Sequence, residues 1–243
     1  MGNISFRIRN KQTVIARRTF VFSVLMGVLM ISPFVEGSPV YDVFGLAFIG
    51  LVAMITGFVM VVFYLRRAKK QNKLVNGENL MAHWVMEPSV IKTYVEKMFS
   101  EQRKKNKMLL IIITVLFVVI SIPFGIAAED DWLTFVGIIF SVYSVILLAG
   151  LLAPVYFKYR NMKGNGMVLI GAKYIYINGD FHNWDFPQSG LQSLEMVNNP
   201  FRGMRVVYFY KERNMTNDFE LIIPVPETIN VEELLAKMDK GNQ

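Results

Sequence analysis

The sequence contains no cysteine and only two histidines among its 243 residues. The lack of cysteine excludes disulfides, thiolate-bound zinc and cysteine nucleophiles, although it does not indicate a compartment. Glycine-rich phosphate loops, nucleophile elbows and HExxH zinc motifs are also missing. We therefore predict no catalytic residue, no cofactor and no metal site, and we do not expect the chain to be an enzyme.

Charged side chains are missing from four long apolar segments. The sequence is 53% hydrophobic with a mean hydropathy of +0.37, which is more apolar than an ordinary soluble domain. Each segment is long enough to cross a bilayer, which takes about 17 to 25 residues. The four predicted transmembrane helices are Thr19–Val35, Val43–Leu65, Met108–Ala128 and Leu133–Phe157. The second follows the first at once, so we interpret the first as a retained helix and not as a cleaved signal peptide.

Lysine and arginine are missing from the two short loops Glu36–Asp42 and Glu129–Asp131, whereas basic residues flank the other ends of all four segments. By the positive-inside rule, both termini are predicted to be cytoplasmic. Contact between these basic flanks and anionic lipids accounts for the net charge of +7, so no nucleic-acid partner is expected. The absence of ionisable residues within the segments argues against a transporter.

The region between the second and third segments contains a predicted strand and a predicted helix. Leu80–Met86 is short and aromatic, and Pro88 is placed to open a helix whose apolar residues recur at helical spacing as far as Phe99. The helix is expected to continue into the third segment. Its apolar stripe either packs on protein or lies on the lipid surface, and we favour protein packing. An isolated strand needs an edge, so we predict that Leu80–Met86 joins the C-terminal sheet and buries Trp84.

After Lys163 the apolar period changes to two, which is typical of strands. Asn178-Gly179 is a hairpin signal. Near the C-terminus, a helix is predicted at Val231–Lys240 with Asn230 as its N-cap and Glu233 completing a capping box. The predicted strands are Met167–Ile170, Tyr174–Ile177, Phe181–Phe186, Leu191–Val197, Arg205–Tyr210 and Phe219–Ile223. The fold class is therefore four transmembrane helices plus an α+β domain, in which a small antiparallel sheet or half-barrel is closed by a C-terminal helix.

These features divide the chain into four parts. Residues 1–70 form a transmembrane hairpin, residues 71–107 a cytoplasmic strand and amphipathic helix, residues 108–160 a second hairpin, and residues 161–243 the cytoplasmic domain. The hairpins share ISPF and ISIPF endings, which indicate either a parallel duplication or generic helix-end chemistry.

Four stretches carry a resemblance to a known family: VLIGAKYIYING, the tryptophan of FHNWDF, LQSLEMV and FELIIPVPETINVEELL. They resemble the bacterial pleckstrin-homology-like (PH-like) domains of membrane proteins. Over roughly residues 80–240 the layout is similar to the YcxB-like group. The resemblance implies a multi-pass protein of the bacterial cytoplasmic membrane with a binding or regulatory role. Some relatives act in self-protection against bacteriocins.

The stretch GDFHNWDFPQSG offers His182 and Asp185 as a conceivable metal or acid–base pair. Strand alternation places them on opposite faces, so we predict a structural role for both. Trp184 is predicted to be either core or a contact residue. In the loop Asn198–Arg205, Phe201 lies beside Arg202 and close to Arg205, a composition typical of a binding hot spot for a protein or a lipid headgroup. The alternative is an ordinary exposed loop.

The function expected from these features is non-enzymatic. The PH-like domain of an inner-membrane protein binds a protein partner or the membrane surface, in a regulatory or scaffolding role. The runner-up is an immunity or resistance protein against bacteriocins or other membrane-active peptides, and a membrane enzyme lacks any polar constellation to support it. Small residues four apart, Ala53 with Gly57 and Gly137 with Ser141, suit close helix packing within one chain or in a homo-oligomer.

Overall fold

The computed structural model describes Phe6, residues 8–127, 132–212 and 215–242. The predicted acidic loop Glu129–Asp131 lies outside the described residues. The chain folds into two compact units. The first unit comprises Met1–Trp84, Met167–Val197 and Gly203–Gln243, and the second comprises Val85–Gly166 and Asn198–Arg202.

Two antiparallel helices begin the first unit. Helix α1 spans Lys11–Ile31 and is followed by a short 3-10 turn at Ser32–Phe34, after which α2 spans Phe44–Val75. The helices approach closely because Gly50 has no side chain: a Cβ there would lie 2.7 Å from the Met30 nitrogen. Gly57 faces Ser23 in the same way. The close packing predicted at Gly57 is therefore made within the chain.

Asn10 joins the start of α1 to the end of α2, at the end of the hairpin opposite its connecting loop. Its side-chain oxygen caps α1 by accepting hydrogen bonds from the backbone nitrogens of Gln12 and Thr13. Its Nδ2 donates to the carbonyl of Ala68 at 2.9 Å and to Asn72 Oδ1 at 2.7 Å. The start of α1 and the end of α2 therefore lie side by side.

The first unit also contains two sheets. One has the strand order β1-β2-β3-β4, with β1 at Leu80–Val85, β2 at Met167–Gly171, β3 at Tyr174–Ile177 and β4 at Asp180–Asn183. The other has the order β5-β6-β7, with β5 at Ser189–Val197, β6 at Gly203–Glu212 and β7 at Met215–Pro224. The registers of β2–β3, β3–β4, β5–β6 and β6–β7 are antiparallel. The prediction that Leu80–Met86 joins the C-terminal sheet is confirmed for Leu80–Val85, which lies beside β2, but the predicted small sheet or half-barrel is divided into two sheets.

Several strand boundaries differ from the prediction: β7, for example, begins at Met215 and not at Phe219, and β6 extends to Glu212. The expected strand Phe181–Phe186 ends at Asn183, because the Asn183 side chain accepts a hydrogen bond from the Asp185 backbone nitrogen at 2.8 Å. Ser189 Oγ then donates to the Trp184 carbonyl at 2.7 Å. Such local side-chain bonds compete with sheet pairing and turn the chain out of the strand.

Helix α5 spans Val231–Lys240 as predicted. Asn230 Oδ1 accepts a hydrogen bond from the Glu233 nitrogen at 3.3 Å, while the Glu233 carboxylate pairs with Lys237 at 2.7 Å. This pairing lowers the pKa of Glu233. The apolar face of α5 buries Val231, Leu234 and Met238. We call the two sheets together with α5 the sheet domain.

The second unit is built on two long helices, α3 at Pro88–Ala127 and α4 at Trp132–Met162. The amphipathic segment and the third apolar segment form one continuous helix, as predicted. Asn106 Nδ2 donates to the Gly150 carbonyl at 2.9 Å, and Thr114 Oγ1 lies 2.8 Å from the Tyr143 hydroxyl. In contrast to Gly57, Gly137 has nothing within 4 Å of the place where a Cβ would lie.

The four helices α1 to α4 are long and apolar enough to cross a membrane. Their apolar side chains remain largely exposed: Phe48 on α2 is 69% exposed and Phe140 on α4 is 68% exposed. Lipid-facing helices are expected to expose such residues.

Candidate functional site

Beyond its apolar stretch, α2 packs on the sheet domain with one of its faces. This face, which we call the docking face, consists of Phe63, Arg67, Lys70, Gln71 and Leu74, spaced so that they line one side of the helix. Arg67 Nη2 donates to the carbonyl of Phe181. Lys70 Nζ lies 2.8 Å from the Asp185 carboxylate.

Apolar contacts complete the docking face. Leu74 is fully buried in a core cluster with Leu169, Tyr176 and Phe181. At the other end, the ring of Phe63 stacks on that of Phe186 with 5.2 Å between centroids. The apolar helical hairpin is therefore continuous with the core of the sheet domain and is not joined to it by a flexible linker.

His182 and Asp185 bind different partners in the structure. His182 Nδ1 lies 3.0 Å from the Tyr208 hydroxyl, whereas Asp185 pairs with Lys70. Burial, helped by the positive charge of Arg67 and opposed by Asp180, lowers the pKa of His182 to about 4. Burial also raises the pKa of Tyr208. His182 and Tyr208 are therefore both uncharged at neutral pH.

The low pKa of His182 predicts acid sensitivity. The ordinary pKa of histidine is 6.5. Between about pH 6.5 and pH 4, His182 is therefore protonated in the unfolded chain but neutral in the folded chain. The free energy of unfolding is therefore not reduced by His182 above pH 6.5, and it decreases as the pH falls through this window. Between pH 7 and pH 5 we expect His182 to account for a loss of about 2 kcal/mol in the free energy of unfolding.

The measurement is denaturant unfolding of the intact protein at both pH values. His182→Gln should remove this part of the pH dependence, because glutamine keeps a polar partner for Tyr208 without titrating. An exposed residue that does not titrate provides the control: Val85→Ala should retain the wild-type pH dependence. An unchanged pH dependence in His182→Gln would contradict the assignment.

Of the predicted contact residues, Trp184 and Arg205 are held by the sheet domain itself. Trp184 is only 2% exposed, its Nε1 donates to Asn242 Oδ1 at 2.8 Å, and its ring stacks on Tyr208. The structure thus assigns Trp184 the core role and corrects its proposal as a partner contact, since a partner cannot reach a side chain so deeply buried. Arg205 forms ion pairs with Glu195 at 3.2 Å and Glu220 at 2.9 Å.

The other two predicted contact residues, Phe201 and Arg202, are partly buried and belong to the second unit. Binding of a partner by Phe201 and Arg202 stays a prediction.

Two clefts flank α5, and the sequence did not indicate either. The larger, about 570 Å³, lies between α5 and β5 and is lined by residues 191–194, Leu235, Ala236, Asp239 and Asn242. The smaller, about 340 Å³, lies between α5 and β1 and includes Met81, His83 and Glu233. Since β1 and β5 are edge strands, both clefts lie beside a strand edge.

Charge is distributed unevenly along the chain. Residues 164–243 contain seven Lys and Arg but ten Asp and Glu, a net charge of −3, although the whole chain carries +7. The excess of basic residues thus lies in residues 1–163, around the apolar helices. Within the described part of the chain, no group of three or more His, Asp or Glu side chains is placed to hold a metal ion.

Comparison with known proteins found no matching family model, no matching curated protein and no matching solved structure.

Proposed function

We propose that the chain is a non-enzymatic protein of the bacterial cytoplasmic membrane, in which a membrane-anchored PH-like domain binds a protein partner in a regulatory or scaffolding role. Four helices cross the membrane and both termini are cytoplasmic. The observation that carries the proposal is the continuity of α2, which passes unbroken from its apolar stretch into the core of the sheet domain at Leu74. A domain attached in this way remains at the membrane face.

Charge favours a protein over the lipid surface as the ligand of the domain as a whole. The anionic cytoplasmic leaflet attracts basic segments, and residues 164–243 are net acidic. The same acidity favours a partner segment that contains lysine or arginine.

The cleft between α5 and β5 is the best place for such a segment. An edge strand offers unpaired backbone N–H and C=O groups to an added strand, and side chains in the cleft then select the sequence. A bulge between Leu191 and Ser193 interrupts the pairing of β5 with β6 at the cleft. Gln192 and Ala236 are exposed on its two sides.

The test is photo-crosslinking in intact cells from a photoreactive amino acid at Gln192. We expect a discrete protein adduct that disappears when Ala236→Trp fills the cleft. Ala236 is exposed on α5, so this substitution should change the free energy of unfolding by less than about 0.5 kcal/mol. The matched control is the same amino acid at exposed Glu227, which does not line the cleft and should give no such adduct.

An equal adduct from Gln192 and Glu227, or an adduct that persists in Ala236→Trp, would contradict the cleft as the binding site. Crosslinking of Gln192 to lipid alone would indicate the membrane surface as the ligand.

A further inference from the structure

A cavity of about 540 Å³ lies between α3 and α4, within the second unit. Apolar and aromatic side chains form most of its walls, and two of them, Phe140 and Ile126, are 68% and 77% exposed. The cavity is therefore open along its side to whatever surrounds the helices. Pockets of about 300 to 1,000 Å³ with such a lining typically bind small apolar molecules or apolar parts of larger ones.

The cavity is about as long as one leaflet of a bilayer is thick. On α4 it extends from Trp132 to Tyr143, which is about 16 Å at 1.5 Å per residue, and on α3 from Ile126 to Thr114, about 18 Å. The hydrocarbon core of a bilayer is about 30 Å thick, so each leaflet contributes about 15 Å. Trp132 directly precedes the apolar segment Leu133–Phe157. The cavity thus begins at the boundary of this segment and ends near its middle.

The width of the cavity admits a single hydrocarbon chain but not a helix. Its volume divided by its length corresponds to a channel about 6 Å across. An α-helix with its side chains is about 10 to 12 Å across, so a transmembrane helix of a second copy or of a partner does not fit inside. Non-bonded carbon atoms approach one another to about 3.5 to 4.0 Å, so a chain of single carbons does fit.

The two ends of the cavity match the two ends of a lipid chain. At the deep end, Thr114 Oγ1 donates to the Leu110 carbonyl at 2.7 Å, so the Tyr143 hydroxyl is the donor in its 2.8 Å contact with Thr114. Both hydroxyl protons are thus bound within the protein, and the Tyr143 ring packs 5.3 Å from that of Phe117. At the other end, Trp132 is 51% exposed, and an indole N–H at this level can donate to a lipid ester or phosphate oxygen.

We propose that this cavity holds one acyl chain of a phospholipid, with the lipid headgroup beside Trp132. The lipid comes from the leaflet next to residues 128–131, which is the outer leaflet in the proposed orientation. The site rests on the proposed membrane location and goes beyond it, because a chain held between α3 and α4 is part of the packing of the second hairpin and not of the general lipid shell.

The experiment uses the full chain in vesicles of phosphatidylcholine, a small fraction of which has a photoreactive diazirine in the middle of one acyl chain. After illumination, lipid adducts are mapped by mass spectrometry. Two isoleucines of α3 form a matched pair: Ile122 lines the cavity and is 58% exposed, whereas Ile120 is 53% exposed and does not line it. They differ in depth by about 3 Å, so a general lipid shell labels both equally.

We expect several-fold more adduct at Ile122 than at Ile120. Val136→Trp, which fills the cavity from α4, should remove this excess. Val145→Trp is the matched control, because Val145 is exposed on α4 but does not line the cavity, and it should leave the excess unchanged.

Equal adducts at Ile122 and Ile120 would overturn the acyl-chain site and leave the membrane location standing. An excess that persists in Val136→Trp, or that both tryptophan variants remove equally, would overturn the site in the same way. If neither isoleucine forms an adduct, α3 does not contact lipid chains, and the membrane location itself is wrong.

Discussion

Replacing Trp84 with alanine should lower the free energy of unfolding by about 3 to 5 kcal/mol, the range observed when a large buried aromatic side chain is deleted. Trp84 is 8% exposed on β1, and its Nε1 donates to the Pro224 carbonyl at 3.0 Å. Since β1 belongs to the four-stranded sheet and Pro224 to the three-stranded sheet, the indole joins the two. The measurement is denaturant unfolding of the intact protein in mild detergent, followed by circular dichroism.

Two further variants separate the contributions. Trp84→Phe keeps most of the buried apolar area but leaves the Pro224 carbonyl without its donor, which should cost about 1 to 3 kcal/mol. Val85→Ala is the matched neighbour: Val85 is 64% exposed, so its loss should matter little. A Trp84→Ala protein as stable as Val85→Ala would show that β1 is not part of the core.

The recruitment of β1 was predictable from the sequence for a physical reason. A short apolar strand carries backbone donors and acceptors that must be paired when buried. The Asn178-Gly179 turn was predictable on similar grounds, because both residues have positive φ values, 51° and 98°, as a two-residue hairpin turn requires. The N-cap at Asn230 follows the same logic, since its side chain satisfies a free helix N–H. The hairpin turn and the N-cap depend on chemistry within a few residues, whereas β1 was predictable because an isolated strand needs a partner.

The features that the sequence did not predict depend on distant pairs. The basic residues after the second apolar segment were all interpreted as lipid contacts, yet Arg67 and Lys70 bind Phe181 and Asp185, more than 110 residues away. The periodicity of the sequence cannot predict such a pair, because the pair depends on where α2 packs against β4. The division of the strands into two sheets and the clefts beside α5 were missed for the same reason. Burial of Trp184 was considered, but its bond to Asn242 also joins distant segments.

The orientation of the first hairpin should give an all-or-none labelling result. The Phe6 nitrogen donates to the Val75 carbonyl at 3.0 Å, and Asn10 bonds to Ala68 and Asn72. The segment before α1 therefore lies on the same side as the sheet domain, whichever side that is. The loop 35–43 between α1 and α2 contains no Lys or Arg, whereas the start of α1 and the end of α2 are both basic. Since the positive-inside rule places the basic ends in the cytoplasm, this loop should face outward.

Single cysteines test this in intact cells with a membrane-impermeant maleimide. Glu36→Cys, exposed in the outer loop, should react, and so should Asp130→Cys in the second predicted outer loop, which reports on the second hairpin independently. Glu227→Cys, exposed in the sheet domain, should react only after the membrane is permeabilised. Reaction of Glu227→Cys in intact cells, with Glu36→Cys protected, would reverse the orientation of the first hairpin. Equal reaction at Glu36 and Glu227 before permeabilisation would show that α1 and α2 do not cross the membrane, because the two positions lie beyond opposite ends of the helical hairpin.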